Sequence, residues 1–595
     1  MPRRLVRERS APQPPSASLG RPGARELLLV VGGYMLLTIA ATWPLARNLN
    51  SALLGSGDGL QNIWNLWWAR QALQRGHLDL YHTFMLYHPD GVSLAYHTLV
   101  PLNCLAAYPL LLLGIDVRVV FNSFALATSV CSGLTLYLLL RHHSQDRLAA
   151  FLAGSVWLFS PIRLSRLMYG NVQIYSTQFI PIMVYCLERA RRGTGWGYWL
   201  GAGMALGLTA WCGLELALGT ALLAGLLLVF DLCRSGVTWR RVGRWAAVVV
   251  VTVGVALPVV WPLLSDAALF PAERDTLASS ERNSADLLGL FVPDTATDPL
   301  VGRLAPAPLA RAIAFVQRVS YGNPHEKSVF LGYSVLAVAL AALLGVRRRE
   351  VCEWTIVAIV FALLALGPRL YIGGQPSLPM PFRLLNALPF LGSGRSPSRM
   401  VLFTMLALSV VCAHGLAALR ARRPRLQWLA VLLGLCFFLE FYAAPVPLDR
   451  RAYEVSAHSL FLRDDARAGA VLDVPLDLFG AEGPASQYML EQMTHGRPIA
   501  GGYVSRTPEG VMWPLERPFL SQLHARLYGD TTPHLFDAEV LAGARDELAA
   551  LDVRFVVLHT RYLDEGDAAL MRDVLTGLLA APVYEDGQAC IWALD

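Results

Sequence analysis

The stretch LLLVVGGYMLLTIAATWPLA, residues 27–46, decides the fold, because it holds no charged side chain over the length that a helix needs to cross a bilayer. Ten further apolar runs follow it along the chain: 119–140, 148–162, 172–188, 196–212, 214–233, 245–264, 328–346, 351–367, 399–419 and 426–443. The repetition of such runs predicts a mainly α protein, built as a polytopic transmembrane helical bundle.

The composition agrees with a membrane protein and excludes other classes. Of 595 residues, 54% are hydrophobic and 16% are charged, and the mean hydropathy is +0.43, whereas a soluble domain carries about 25% charged residues. The net charge of +6 does not indicate nucleic-acid binding, because the arginines cluster in short loops and form no single basic face. The nine cysteines show no CxxC spacing, so neither a disulfide framework nor a zinc site is indicated.

The arginine-rich loops predict the orientation of the bundle. The positive-inside rule places alternate loops in the cytoplasm, together with the N-terminal tail 1–26. Three large segments then lie outside: 47–97, 265–327 and 368–398. The run 98–114 begins and ends on the outer side, so we interpret it as a juxtamembrane or re-entrant helix and expect eleven spans, or twelve if it crosses.

The composition changes beyond the last apolar run. Residues 27–444 are predicted to form the transmembrane domain, and residues 445–595 have the composition of a soluble domain of common size. Strand-like runs AVLDVP, VRFVVLHT and QACIWAL alternate there with helical ones. We therefore expect a C-terminal extracytoplasmic α/β domain.

The stretch GDGLQNIWNLWWARQALQRG, residues 57–76, is the most informative part of the first outside segment. Its apolar residues recur at helical spacing, so 59–74 is predicted to be an amphipathic helix on the outer membrane surface. Trp64, Trp67 and Trp68 are then interfacial anchors, although aromatic faces also stack on sugars.

Asp58 begins this helix and shares its polar face with Asn62. Asp58 and Gln61 match a capping box, which needs no catalytic role. A capping carboxylate at a helix start near the membrane can also accept a proton, so the two interpretations are compatible.

Two pairs of arginines lie on the outer side, where the positive-inside rule does not expect them. Arg163 and Arg166 follow the run 148–162; Arg395 precedes the run 399–419, and Arg399 begins it. Either they reach toward outer-leaflet headgroups or they bind an anionic phosphate; two pairs on one side favour the phosphate site.

Other ionisable residues have two interpretations each. Glu215 lies at an outer turn between apolar runs. It is either a functional residue or a partner for one of the arginines. His325, Glu326 and Lys327 precede the run at 328 and are interpreted as an exposed helix start, not as a metal site. We assign no cofactor and no metal; a divalent metal is possible but nothing in the sequence indicates one.

The order of these features resembles the GT-C class of membrane glycosyltransferases, which includes oligosaccharyltransferases, protein mannosyltransferases and lipid A aminoarabinose transferases. The resemblance is carried by GDGLQNIW (57–64), LLLRHHSQDRLAAFLAGSVWLFSPIRLSRLMYG (138–170) and LNALPFLGSGRSPSRM (385–400). It is greatest to bacterial members, and it implies a multi-pass protein of the bacterial inner membrane that acts in the cell envelope.

The resemblance implies a reaction and its residues. These enzymes take a sugar from a polyprenyl-phosphate donor at the outer face, and an early Asp in the first outside loop activates or positions the acceptor; Asp58 occupies that place. A base for the acceptor hydroxyl and cations for the leaving phosphate suit this chemistry. The paired acidic motif of several members is missing, and Asp79 or Asp90 is a candidate second carboxylate, although P-D-G at Asp90 is first a turn pattern.

Three functions are carried forward. The first is a membrane glycosyltransferase with Asp58 as base, with Asn62, Arg163, Arg166, Glu215, Arg395 and Arg399 as substrate-binding residues. Its partners are a polyprenyl-phosphate sugar, membrane lipid and an extracytoplasmic acceptor, which is a glycan, a lipid or a protein. The alternatives are a lipid-linked sugar flippase or transporter, and a non-catalytic envelope-assembly protein.

Overall fold

The computed structural model describes residues 20–594, except 56–57, 194, 271–275, 295–296, 298, 321, 324–325, 388–395, 479–482 and 529–535. Up to residue 444 the described helices are α1 (Ala24–Ala41), α2 (Asp58–Gln74), α3 (Pro101–Leu112), α4 (Val117–Ser144), α5 (Arg147–Leu158), α6 (Pro161–Met168), α7 (Val172–Tyr175), α8 (Phe179–Arg191), α9 (Trp196–Cys212), α10 (Leu214–Ser235), α11 (Trp239–Ser265), α12 (Thr276–Arg282), α13 (Leu300–Arg303), α14 (Ala307–Val319), α15 (Tyr333–Gly345), α16 (Arg349–Ala365), α17 (Phe382–Asn386), α18 (Val401–Arg422) and α19 (Gln427–Phe441). Every predicted apolar run contains a helix, which confirms the polytopic helical bundle.

The number of helices long enough to cross a membrane is smaller than the number of apolar runs. Within the described residues, α1, α4, α10 and α11 qualify, as do α18 and α19 with the 3-10 turns before them. The pair α5 and α6, bent by 52°, gives a seventh if it is one span. The chain is therefore a multi-pass membrane protein with six or seven spans by length and composition, not the eleven or twelve predicted.

The difference arises because several apolar runs form short helices. Helices α8 and α15 have 13 residues, and α9 and α16 have 17, so they are about 20 to 26 Å long against a hydrocarbon core of about 30 Å. Helix α3, within the run 98–114, has 12 residues and is too short to span, in agreement with a juxtamembrane or re-entrant segment. The bend between α5 and α6 coincides with Pro161, which starts a new helix but cannot continue one.

The C-terminal region combines helices and a sheet, as predicted. Its helices are α20 (Ala457–Asp464), α21 (Pro484–His495), α22 (Pro518–Tyr528), α23 (Ala538–Ala550) and α24 (Glu565–Leu579). The chain also contains strands β1 (Leu53–Leu54), β2 (His82–Thr83), β3 (Val92–Ser93), β4 (Arg369–Ile372), β5 (Gln375–Pro379), β6 (Leu448–Asp449), β7 (Ala470–Val474), β8 (Val553–His559), β9 (Tyr584–Glu585) and β10 (Ala589–Ala593). Four of them form a sheet in the order β7-β8-β10-β9, in which β7 and β8 are parallel.

The first outside segment packs into this C-terminal region. Strand β1 pairs antiparallel with β6, and one hydrophobic core contains residues of α2, α3, the sheet and α21. A second core lies among the membrane helices. Strand β1 and helix α2, which flank Asp58 in the sequence, are therefore held by the C-terminal region.

Helix α2 is a buried helix, so the prediction of an amphipathic helix on the membrane surface is wrong. Trp64 is fully buried, and Trp67 and Trp68 are almost so. The Trp64 indole Nε1 donates to Oε1 of Gln492 on α21 at 2.7 Å, and Trp68 donates to the Leu80 carbonyl at 3.1 Å. The tryptophans are core residues because both faces of α2 meet protein.

Candidate active site

Asp58, the first residue of α2, is tied to the turn between α6 and α7. The Asn171 amide donates a hydrogen bond to Oδ2 of Asp58. Asn62, one turn along α2, donates to the Asp58 carbonyl at 2.8 Å and to the Gly170 carbonyl at 2.9 Å. The Asp58 side chain is half-buried, so it is held in place but is not sealed from a ligand.

The capping-box partner of Asp58 points elsewhere. The Gln61 amide donates to the Ser505 hydroxyl at 3.1 Å and accepts from the Thr98 hydroxyl at 2.8 Å. Gln61 thus connects α2 to the C-terminal region. The hydrogen bonds described for Asp58 come from Asn171 and Asn62, so a second segment of the chain holds this carboxylate.

Glycines allow this close approach. Gly55 and Gly170 have left-handed φ angles of 83° and 72°. A Cβ added to Gly170 would lie 2.5 Å from the Gly59 Cα and backbone nitrogen, a distance at which one backbone must move. Gly55, Gly59 and Gly170 therefore let the two backbones touch where the Asp58 carboxylate and the Asn171 amide meet.

A chain of polar contacts, which we call the polar network, starts at Asp58. It runs from Asp58 through Asn171, Arg166, Glu326 and Arg399 to Glu215. The Arg166 Nη1 donates to Asn171 Oδ1 at 3.1 Å and to Glu326 Oε1 at 3.0 Å. The Arg399 Nη2 donates to the same Glu326 oxygen at 2.8 Å, and its Nη1 pairs with Glu215.

Glu326 is the buried centre of the polar network. Its side chain is 4% exposed and that of Arg166 is 2% exposed, and the Ser398 hydroxyl donates to its second oxygen at 2.8 Å. Burial alone would raise the pKa of Glu326, but Arg166 and Arg399 bring it down to about 2. This carboxylate therefore remains ionised at neutral pH and holds both arginines.

Arg163 lies outside the polar network although it precedes Arg166 by one turn. Its guanidinium is 4.8 Å from the Trp157 ring and 4.5 Å from the Tyr175 ring. It also donates to the Thr177 hydroxyl and, at 3.3 Å, to the Leu158 carbonyl. The contacts of Arg163 are thus aromatic rings and neutral oxygens.

An open cavity of about 410 Å³ adjoins the outer end of the polar network. Leu216, Phe382 and Phe403 line it, together with the ion pair of Glu215 and Arg399. A second cavity of about 280 Å³ lies beside Asn62, Asn65 and Asn103. The first cavity combines an apolar wall with one charged end, which is the shape that suits an amphiphile with an anionic group.

The C-terminal region also reaches the site. The Arg506 guanidinium lies 5.6 Å from the Tyr96 ring centroid. Burial lowers the pKa of Arg506, and the negative charge of Glu215 opposes that shift. Arg506 belongs to a polar stretch of the C-terminal region.

The structure brings together five of the predicted site residues: Asp58, Asn62, Arg166, Glu215 and Arg399. Glu215 pairs with an arginine, the simpler of its two interpretations. Arg395 lies outside the described residues. Asp79 pairs with His82 at 2.6 Å, and Asp90 is exposed.

Two members of the polar network escaped prediction. Glu326 was expected at an exposed helix start, and the structure shows that this is wrong; His325 lies outside the described residues, and Lys327 donates to the Ser320 carbonyl at 2.8 Å. Buried arginines on the outer side need a carboxylate, and a Glu just before an apolar run was available. For Asn171, the sequence contains no comparable signal of a role in the site.

The fold is similar to those of solved membrane glycosyltransferases, as the resemblance to the GT-C class implies. The oligosaccharyltransferase of Archaeoglobus fulgidus in its apo form is similar over 90% of this chain and 70% of its own, with a TM-score of 0.51 and 12% identity. The arabinofuranosyltransferase AftD from Mycobacteria is similar over 96% of this chain, with a TM-score of 0.53 and 14% identity. This chain spans 40% of the length of AftD.

The sequence itself matches one family. Residues 29–443 match the model of DUF6311, a domain of unknown function, and the chain belongs to that family. The curated proteins contain no match to it. The match covers the described part of the chain from α1 to the end of α19, including the polar network.

Proposed function

We propose that the protein is a membrane glycosyltransferase that moves a sugar from a polyprenyl-phosphate donor to an extracytoplasmic acceptor. The observation that carries the proposal is the polar network, because it joins a half-buried carboxylate to two arginines beside an apolar cavity. The similar solved structures, an oligosaccharyltransferase and an arabinofuranosyltransferase, are transferases of sugars and support the same reaction class.

Asp58 is the proposed base. Its carboxylate accepts the proton of the acceptor hydroxyl as that oxygen attacks the sugar carbon that bears the phosphate. Asn171 and Asn62 hold the carboxyl group and its backbone. The leaving phosphate departs with the negative charge, which a cation has to stabilise.

Arg399 is the proposed phosphate ligand. Its side chain is 21% exposed and that of Glu215 is 34% exposed, whereas Glu326 is buried. The outer ion pair can therefore exchange, and a donor phosphate would replace Glu215 at Arg399 while Glu326 keeps the arginine in position. Arg166 acts as a positioning residue, because it donates to the same Glu326 oxygen as Arg399. Arg163 and Arg395 are retained as weaker candidates for binding the phosphate.

The cavity wall is the proposed place of the polyprenyl chain. Burying apolar isoprene groups against Leu216, Phe382 and Phe403 would stabilise binding by about 25 cal/mol per Å² of apolar surface. This assignment puts the site at the outer face of a bacterial inner membrane, with the tail 1–26 in the cytoplasm and residues 445–595 outside as a separate region.

The experiment tests transfer with the purified protein in lipid nanodiscs and a panel of radiolabelled polyprenyl-phosphate sugars. We expect at least one donor to be consumed. Asp58→Asn should lower the rate about 100-fold or more at unchanged thermal stability, because an amide oxygen still accepts from Asn171. Asp79→Asn, in the same outside segment, is the matched control and should keep full activity.

Glu215→Gln tests the exchange at Arg399. Removing the competing negative charge should lower the KM for the donor, with kcat unchanged. Equal transfer by the Asp58→Asn variant and the native protein would contradict the proposal. Movement of an intact lipid-linked sugar across liposomes without its consumption would instead support the flippase.

A further inference from the structure

A compact group of histidines and carboxylates lies in the C-terminal region, away from the polar network. His458 is on α20, Glu491 is on α21 and His559 ends β8. One possible ligand atom from each lies within 4.8 Å of the other two. The three side chains are 1%, 7% and 0% exposed, so water does not solvate them.

The position of this histidine cluster in the sheet is that of a ligand site. Strands β7 and β8 are parallel, and Asp473 and His559 lie at or next to their carboxyl ends. In open sheets with parallel strands, the crevice beyond the carboxyl ends is where ligands bind. Helices α20 and α21 cover that end with His458 and Glu491.

The hydrogen bond to Asp473 orients the His559 ring. Nε2 of His559 lies 2.8 Å from Oδ1 of Asp473, so Asp473 contacts Nε2 and leaves Nδ1 for another partner. That Nδ1 is buried and has no hydrogen-bond partner among the described residues. It faces Oε2 of Glu491 at 3.9 Å, which is too long for a direct hydrogen bond and wide enough for a bridging metal ion.

Glu491 is held ready as an anionic ligand. The Arg561 Nη2 donates to its Oε1 at 2.7 Å, which leaves Oε2 for His458 Nε2 at 3.0 Å and His559 Nδ1 at 3.9 Å. Arg561 thus orients the carboxylate and leaves its second oxygen facing the two histidines.

The spacing agrees with a tetrahedral metal site. Zinc bonds of about 2.0 to 2.1 Å at tetrahedral angles put neighbouring ligand atoms about 3.4 Å apart, and the two measured separations of 3.0 and 3.9 Å lie on either side of that value. Imidazole and carboxylate are ligands of zinc, and a carboxylate that accepts from the second ring nitrogen is the usual partner of a zinc-bound histidine. Asp473 fills that place.

We propose that His458, Glu491 and His559 bind one zinc ion, with Asp473 positioning His559. The three ligands are buried, so the metal has a structural role: it fastens α20 and α21 to the end of β8. This inference does not depend on the glycosyltransferase reaction.

A second group, His143, Glu350 and His414, also has its ligand atoms within 4.8 Å of one another and provides the control. It lies near Arg192, which pairs with Glu350 at 3.1 Å. Neither ring nitrogen of His143 has a hydrogen-bond partner among the described residues, so this group lacks a carboxylate like Asp473 to orient a ligating histidine. A variant at His143 should therefore leave zinc binding unchanged.

The experiment measures zinc by mass spectrometry in the full-length protein, purified in detergent without a histidine tag, stripped with a chelator and equilibrated with zinc chloride. We expect about one zinc per chain in the native protein and in His143→Ala and His524→Ala. His458→Ala and His559→Ala should lose it, and Asp473→Asn should bind about 10 to 100-fold more weakly. Zinc should raise the Tm of the native protein and of the two control variants, but not the Tm of His458→Ala or His559→Ala.

Two results would overturn the proposal. The first is a native protein that takes up no stoichiometric zinc after stripping, which would make the cluster a buried charge network with His559 doubly protonated. The second is equal zinc content in His458→Ala and the native protein. The native measurement decides the matter even if a histidine variant fails to fold.

Discussion

Arg163 and Arg166 lie one turn apart on α6 and are buried to the same degree, but their surroundings are opposite. Arg166 meets Glu326 and Asn171. Arg163 sits against the rings of Trp157 and Tyr175, and no carboxylate in the described part of the chain forms an ion pair with it.

This difference separates two ways to keep a cation inside a protein. A carboxylate neutralises the charge but creates a mutual dependence, because removing either partner leaves a buried charge. Aromatic faces and neutral oxygens compensate less strongly and leave the charge itself available. Arg166 therefore belongs to the proposed reaction site through its partners, whereas Arg163 mainly fixes α6 to its neighbours.

The largest effect is expected from Glu326→Ala. It removes the carboxylate that holds both Arg166 and Arg399, and it should lower the free energy of unfolding by about 3 to 5 kcal/mol. Thermal unfolding in detergent measures this loss. Asp464→Asn, which removes an exposed ion pair with Arg463, should cause no measurable change; equal losses in both variants would contradict the central role of Glu326.

Low pH should weaken the ion pairs of Glu326 with Arg166 and Arg399. The pKa of Glu326 is lowered from 4.5 to about 2 in the folded protein, so its stabilising contribution is complete above about pH 5 and is lost as the pH falls from 4.5 toward 2. The full contribution is about 3 kcal/mol. Unfolding curves of the native protein and Glu326→Gln between pH 6 and 3 should converge at low pH; parallel curves would refute the assignment.

Replacing each arginine with Met compares the two environments directly. Arg166→Met leaves Glu326 with one arginine and should lower stability by about 2 kcal/mol. Arg163→Met leaves no unpaired carboxylate, so loss of the aromatic contacts and relief of the buried charge should nearly cancel, within about 1 kcal/mol. Donor KM should stay constant in Arg163→Met; a large increase would mean that Arg163 binds the phosphate.

An effect as large as that of Arg166→Met is expected at the backbone contact that places Asn171 beside Asp58. Gly170→Ala introduces a Cβ 2.5 Å from Gly59, and it should lower stability by about 2 kcal/mol and slow transfer. Gly76→Ala is the control: its φ of 78° is equally left-handed, but nothing lies within 4 Å. It should lower stability by about 1 kcal/mol without slowing transfer.

The polytopic bundle and the α/β character of the C-terminal region were predictable from the sequence. The sequence also indicates Asp58, Arg166, Arg399 and Glu215 as candidate site residues, but not Asn171 and Glu326, which connect them. Apolar length reports a membrane segment regardless of its neighbours. Arginines that violate the charge bias of their side report an anionic partner. These inferences succeed because each rests on a local property of the chain.

The predictions that failed depended on distant contacts. The tryptophans of α2 have the spacing of a surface helix, and only the arrival of Gln492 and the sheet makes them core residues. Glu326 lies before an apolar run, as an exposed residue does, and only the fold brings two arginines to it. The span count failed because an apolar run gives the length of a hydrophobic segment, and not of the helix that forms within it.

The hydrogen bond between Trp64 and Gln492 has a consequence for synthesis of the chain. The two residues are 428 positions apart, and β1 likewise waits for β6. While the ribosome makes the membrane helices between them, the segment that holds Trp64 has a tryptophan-rich surface without its final cover. Such long-range pairing is slow and exposes apolar surface, so we expect that this protein matures only after translation ends and that a chaperone protects the segment until then.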